Sequence, residues 1–191
     1  MKKLYFILII TVAISTITNG QFTKVGGGLG FSTGFPFHQI SSDFNKSGKF
    51  NINFKGIYDL SLPVHISPSF TIFLPHVTKQ FDMKTTVSTI MFDLNGHYVF
   101  NSLDRFEFYG LAGLDILLAW KKETFTGSPG SKERDNAPGL NIGAGTYMKI
   151  TEQLDLFAEV KYIVSKYHQF MLNAGVLINL QWLSKNENKG I

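Results

Sequence analysis

The sequence predicts an all-β protein, an eight-stranded antiparallel up-and-down transmembrane β-barrel. Three observations predict it. Eight segments alternate apolar and polar residues with period two, the signature of strands with unlike faces. Short and long connections alternate, as in a meander of hairpins. Aromatic residues of the apolar face gather at both ends of these segments around an aliphatic middle, a distribution that a bilayer selects.

The chain has 191 residues, enough for one domain or one small barrel, and 18 Phe with 18 Gly suit strands and tight turns. Its start, MKKLYFILIITVAISTITNGQF, has a basic pair, Lys2 and Lys3, then an apolar run over Leu4 to Ile14, then small and polar residues. That is a secretory signal peptide, expected over 1–20. Removing it lowers the formal charge from +4 to +2, because Lys2 and Lys3 leave with it. No basic run other than Lys121–Lys122 remains, so no nucleic-acid partner is expected. There is no Cys, hence no disulfide and no Cys-metal site.

The barrel is expected over 21–183, with a short periplasmic tail over 184–191. Its strands are read at 24–34, 50–60, 64–74, 87–100, 106–120, 139–150, 154–164 and 170–182. The first is Gly-rich. The second sets Phe50, Ile52, Phe54, Tyr58 and Leu60 against Asn51, Asn53, Lys55 and Asp59. The third contains Pro68, which lacks a ladder donor, so a bulge or a weakened pair is expected there. The fourth to seventh keep the alternation, and place Asp93, Glu107, Asp115, Glu159 and Lys161 in the polar phase. The eighth, FMLNAGVLINLQW, alternates throughout. SLP, NSLD and TEQ make tight turns, while 35–49, 75–86 and 121–138 make longer loops. An even strand number puts both chain ends at the short-turn end.

A soluble lipocalin-like carrier would turn the same oily face inward. The aromatic sorting argues against it. Tyr58, Tyr98, Phe100, Phe106, Phe108 and Trp182 fall at the short-turn end, and Phe35, Phe50, Trp120 and Phe170 at the other. Tyr58, Tyr98, Phe106, Trp120 and Trp182 are read as the aromatic girdle in contact with outer-membrane lipid. The polar phase mixes charged residues with Gly, which suits an eight-stranded interior filled by side chains and no wide pore.

GLAGLDILL, GLNIGAGTYMKITEQLDLFAEVKY and FMLNAGVLINL resemble the bacterial outer-membrane β-barrels of the OmpA/OmpX-like class, most of all the small barrels of Bacteroidetes. The resemblance implies an outer-membrane location reached through the barrel assembly machinery. Asn173, Gly175, Ile178 and Leu180 resemble the assembly signal of a final strand. The tail after Trp182 is too short for a peptidoglycan-binding domain.

Lys55, Asp93, Glu107, Asp115, Glu159 and Lys161 are expected to form an interior polar network, since buried charges must be paired. His65 and His97 share a phase on neighbouring strands, but further metal ligands are lacking, so interior packing is expected and no metal or cofactor. His65 and Ser67 have the spacing of a lipid A deacylase pair, yet both take the inward phase, away from lipid, and no carboxylate is placed to orient the His. The expected role is therefore structural or surface-interacting, not enzymatic, with loops 35–49 and 121–138 facing an extracellular partner. A lipid-modifying enzyme is the alternative.

Overall fold

The computed structural model describes residues 22–40, 42, 45–61, 63–125, 130–180 and 182. The expected leader over 1–20 and tail over 184–191 lie outside the described residues. Eight strands follow one another: β1 (Phe22–Ser32), β2 (Phe50–Ser61), β3 (Val64–Gln80), β4 (Met83–Leu103), β5 (Phe106–Phe125), β6 (Lys132–Lys149), β7 (Leu154–Ser165) and β8 (Gln169–Asn179). Each pairs antiparallel with the next, and β8 pairs with β1 to close the barrel.

The oily face is outside. Leu29, Phe54, Leu114, Ile142, Leu172 and Val176 stand exposed on the outer wall, while Asn53, Thr71, Asp93, Asn141 and Asn173 are buried within. An apolar outer belt calls for hydrocarbon as its solvent, and a closed ring pairs the backbone without leaving an edge. A soluble barrel with an oily lining would show the reverse.

Strand length departs from the sequence reading. β1, β2, β7 and β8 have 11, 12, 12 and 11 residues, but β3 to β6 have 17, 21, 20 and 18. About 9–11 residues cross a bilayer. The excess lies at the long-hairpin end. There β3 and β4 stay paired to Gln80 and Met83, and β5 with β6 to Lys122 and Lys132. The segments 75–86 and 121–138, expected as loops, are therefore largely strand. Once clear of the membrane both faces of a strand meet water, so the alternation fades while the backbone pairing continues.

Other boundaries shift as well. β8 ends at Asn179, and Leu180 and Trp182 follow in helical conformation, off the strand on which they were expected. At Pro68 the β2–β3 pairing skips Gly56 and Ile57 with no change of register, so the pair is weakened without a bulge. The start of segment 35–49, expected as a loop, turns inward. Phe35 and Phe37 fold into the mouth of the barrel and are buried there. Phe35, expected near an aromatic rim, instead stacks on Tyr167 at 4.3 Å.

The interior is layered. Ile57, Tyr109, Leu111, Tyr147, Phe157 and Leu177 pack at the short-turn end. A polar belt follows. Above it Phe35, Phe37, Phe73, Met91, Leu117 and Tyr167 belong to a second apolar cluster at the long-hairpin end. At the β1–β8 seam Gly28 lies opposite Gly175. A Cβ on Gly28 would overlap the Ala174 carbonyl, and one on Gly175 the carbonyl of Gly27. Only glycine lets these two strands meet.

Candidate functional site

The polar belt is built from residues distant in sequence that the ring brings face to face. Lys55, Ser69, Asp93, Asp115 and Gly139 are successive cross-strand neighbours from β2 to β6. Lys55 Nζ donates to Glu159 Oε2 at 2.6 Å, with both side chains 2 % exposed. Lys161 Nζ donates to Asp93 Oδ1 at 2.8 Å, and that carboxylate also accepts from Ser69 and Asn141, each at 2.8 Å. The Tyr109 hydroxyl donates to Glu159 at 3.1 Å. Desolvating these ions is offset by close pairing and by the extra donors on each carboxylate.

Four of the six expected network residues thus form two ion pairs. Asp115 is buried next to Asp93, yet neither of its oxygens has a hydrogen-bond partner. Glu107 lies apart from the belt. It is half-buried at the short-turn rim, beside a pocket shared with Lys24, Arg105 and Asp155. Its phase points it inward, but its height puts it at the rim.

His65 and His97 are direct cross-strand partners. Their rings nonetheless turn apart. His65 Nδ1 meets Asp59 at 2.5 Å. A carboxylate does orient this ring, against the expectation from the sequence, because Asp59 of the same hairpin lies directly across from it. His97 Nδ1 shares a hydrogen bond with the Tyr147 hydroxyl at 2.6 Å. His97 also stacks on Tyr109 at 4.3 Å, and Tyr109 on Tyr147 at 4.5 Å. This ring stack was not singled out from the sequence, although both tyrosines occupy the inward phase. Ser67 is fully buried inside the wall.

The aromatic residues read as girdle separate by height. Tyr58 packs edge-on against Phe22, and Tyr98 and Phe106 are exposed on the outer wall, all towards the short turns. Trp120 lies at the other end of the same outer face, opposite Arg134 on β6. In the final strand Asn173 points inward and is buried, whereas Ile178 is exposed outside.

Residues 35–40 lie over the long-hairpin mouth, with Phe35 and Phe37 buried in it. A single turn at Phe37–Gln39 holds His38 and Gln39 at positive φ, 53° and 60°. The His38 amide donates to the Tyr167 hydroxyl at 2.9 Å, and Gln39 donates to the Lys166 carbonyl at 3.1 Å. Tyr167 in turn donates to Asp135, which also receives Lys166 at 2.5 Å. Burial, and next the Asp135 carboxylate, raise the Tyr167 pKa above the usual tyrosine value, so its proton stays in place. With the lid above and the ring stack below, purified protein in planar bilayers is expected to show no steady conductance of porin size. Stable large channels would mean that the lid opens.

The family model for the outer membrane protein beta-barrel domain matches residues 4–181. Three solved structures share the fold. Ail, the attachment invasion locus protein of Yersinia pestis, is 17% identical with a TM-score of 0.52, over 82% of this chain and 98% of its own. The N-terminal β-barrel domain of Pseudomonas aeruginosa OprF is 20% identical with a TM-score of 0.53, over 83% and 99%. Neisserial surface protein A is 17% identical with a TM-score of 0.54, over 82% and 96%. These relatives give the Bacteroidetes likeness no support. No curated protein sequence matches the chain significantly. An oily outer wall, a filled interior and a family match over nearly the whole length place the protein in the bacterial outer membrane, as a member of the outer-membrane protein β-barrel family.

Proposed function

We propose that the protein is a surface-binding barrel, a closed anchor that holds a four-stranded platform outside the cell for an adhesion-like contact. The observation that carries this reading is Phe81 at the β3–β4 tip. It is 98 % exposed and has φ 49°. A bulky residue in the left-handed region costs about 1–3 kcal/mol, and a bare phenyl ring adds unfavourable hydration. The two-residue turn between Gln80 and Met83 itself calls for a positive φ, as Asp104 shows in the β4–β5 turn, but nothing in that turn calls for a phenyl ring in water. Val77 and Phe125 add exposed apolar surface on the same extension.

Outer-membrane barrels keep short turns in the periplasm, which puts the platform outside. Ail, which shares this architecture, has been crystallised with the heparin analogue sucrose octasulfate. That ligand belongs to Ail, but it supports a binding role for a barrel of this shape. The enzyme alternative lacks support, because His65 and Ser67 are shut inside the wall.

The chain has no native Cys, so Phe81→Cys gives a single labelling site. A membrane-impermeant maleimide should label it on intact cells. Labelling only after the outer membrane is opened would reverse the orientation. Cells making the protein should adhere to a basement-membrane extract, with Phe81→Ser lowering adherence about tenfold at unchanged heat-modifiable mobility. Adherence equal to that of cells without the protein would sink the reading.

A further inference from the structure

The alternation of a strand sorts charge as well as hydrophobicity, and on the platform it does so unevenly. Ile90, Ile116, Leu118 and Trp120 share the outer face of β4 and β5. Continuing up the same face, Lys84 pairs with Lys79 across β3–β4, Thr86 with Lys122 across β4–β5, and Lys122 with Lys132 across β5–β6. Arg134 lies opposite Trp120. Five cations therefore occupy one face. Glu123 and Asp135 fall on the opposite face, where they meet Lys121 and Lys166, and Glu133 turns to His38. Among the described residues none of the five outer cations has a carboxylate partner.

Two of the cross-strand pairs, Lys79–Lys84 and Lys122–Lys132, set like charges directly opposite each other, an arrangement that weakens a sheet unless an anion lies between them. At the foot of this face is a groove of about 380 Å³ lined by Leu118, Trp120, Arg134, Asp135 and Asn136. Its lining is mixed: Leu118 and Trp120 lie beside Asp135, Asn136 and the Arg134 guanidinium, a group that can bind phosphate through two parallel hydrogen bonds.

We infer that this outer face binds the phosphorylated headgroups of lipids in the outer leaflet. The face is continuous with the lipid-facing wall below it and points sideways over the membrane. Headgroups lie at that height, just above an interfacial tryptophan. The acyl chains of such a lipid would run down past Leu118 and Ile116, its glycerol or sugar region would fill the groove by Trp120, and its phosphates would sit between Arg134 and the lysines. A ligand arriving from solution would meet the tip first and would have no use for Leu118 and Trp120 at the foot of the face. The inference rests on the outward placement of the platform, which the Phe81→Cys labelling tests separately.

The test uses the full barrel in nanodiscs of phosphatidylcholine, with or without 10 mol% of a doubly phosphorylated glycolipid, lipid A (about one lipid in ten). Bound lipid is counted by native mass spectrometry, and unfolding temperature is followed in parallel. Wild type should retain lipid A and unfold at higher temperature in its presence. The triple variant Lys122→Glu, Lys132→Glu, Arg134→Gln should lose that retention by about a hundredfold, roughly fivefold per cation. All three positions lie on the extension, so heat-modifiable mobility should not change. Equal retention by the variant would overturn the inference. So would an equal rise in unfolding temperature from inorganic phosphate alone, or equally tight binding of soluble heparin in phosphatidylcholine discs, since either would assign the face to a free anion.

Discussion

Glu159→Gln is expected to destabilise the barrel by about 3–5 kcal/mol, the range for removing one partner of a buried ion pair. Lys55 would lose its one anionic partner among the described residues, at 2.6 Å, while remaining in a site where its side chain is 2 % exposed. Its other near neighbour is the Phe157 ring, whose centroid lies 4.6 Å from Nζ, and a ring face does not replace a carboxylate. Tyr109 would lose its charged acceptor in the same step. Reversible urea unfolding into lipid vesicles measures the loss. Adding Lys55→Met should recover most of it, because the neutral pair strands no ion. A loss below about 1 kcal/mol for Glu159→Gln alone would show that water reaches Lys55, and the filled interior would have to be abandoned.

The second large effect concerns the outer wall. Val176→Arg should cost about 2–4 kcal/mol, as expected for a cation at the lipid-facing middle of a barrel. The control is Thr124→Arg, on the outer face of the same ring but beyond Trp120, where water and headgroups receive the charge. It should cost less than about 1 kcal/mol. The contrast separates depth from face. If the two variants cost the same, the boundary drawn between membrane wall and platform is wrong.

Phase was legible in the sequence and height was not. The alternation in FMLNAGVLINL assigns Leu172 and Val176 to one face and Asn173 to the other, and the structure places them so. It also groups Glu107 with Glu159, since both are polar residues in the inward phase. Phase says nothing of depth, so the rim residue and the buried ion look alike. The partner of each charge depends on how the ring staggers: Lys55 and Glu159 are 104 residues apart. The end of each membrane segment was legible as the end of alternation, and this is why β3 to β6 were read short. The lid was invisible for a different reason. FPFHQ has no strand period, and its two phenyl rings find their place in a cluster gathered from distant strands, Phe35 stacking on Tyr167 from a turn near the other end of the chain. Phe-x-Phe in a connection, with a Tyr in the short turn Ser165–Tyr167, was the available hint.

The glycine seam has a consequence for how the molecule is made. β1 and β8 are the two strands furthest apart along the chain, so their meeting closes the longest loop and carries the largest chain-entropy cost of any pairing in the ring. Every other pair can zip outward from a local turn; this one cannot. Gly28 against Gly175 presents no side chains that must first find their rotamers or expel one another, so at mid-seam the encounter needs only backbones in register, with Val25–Ile178 and Phe31–Leu172 left to pack on either side. Smooth edges at the last joint shorten the time the sheet spends open, with two unpaired strands offered to any other chain in the periplasm. On this view the small residues of β1 and β8 guard the unfinished protein against wrong partners, a duty that ends once the ring has formed.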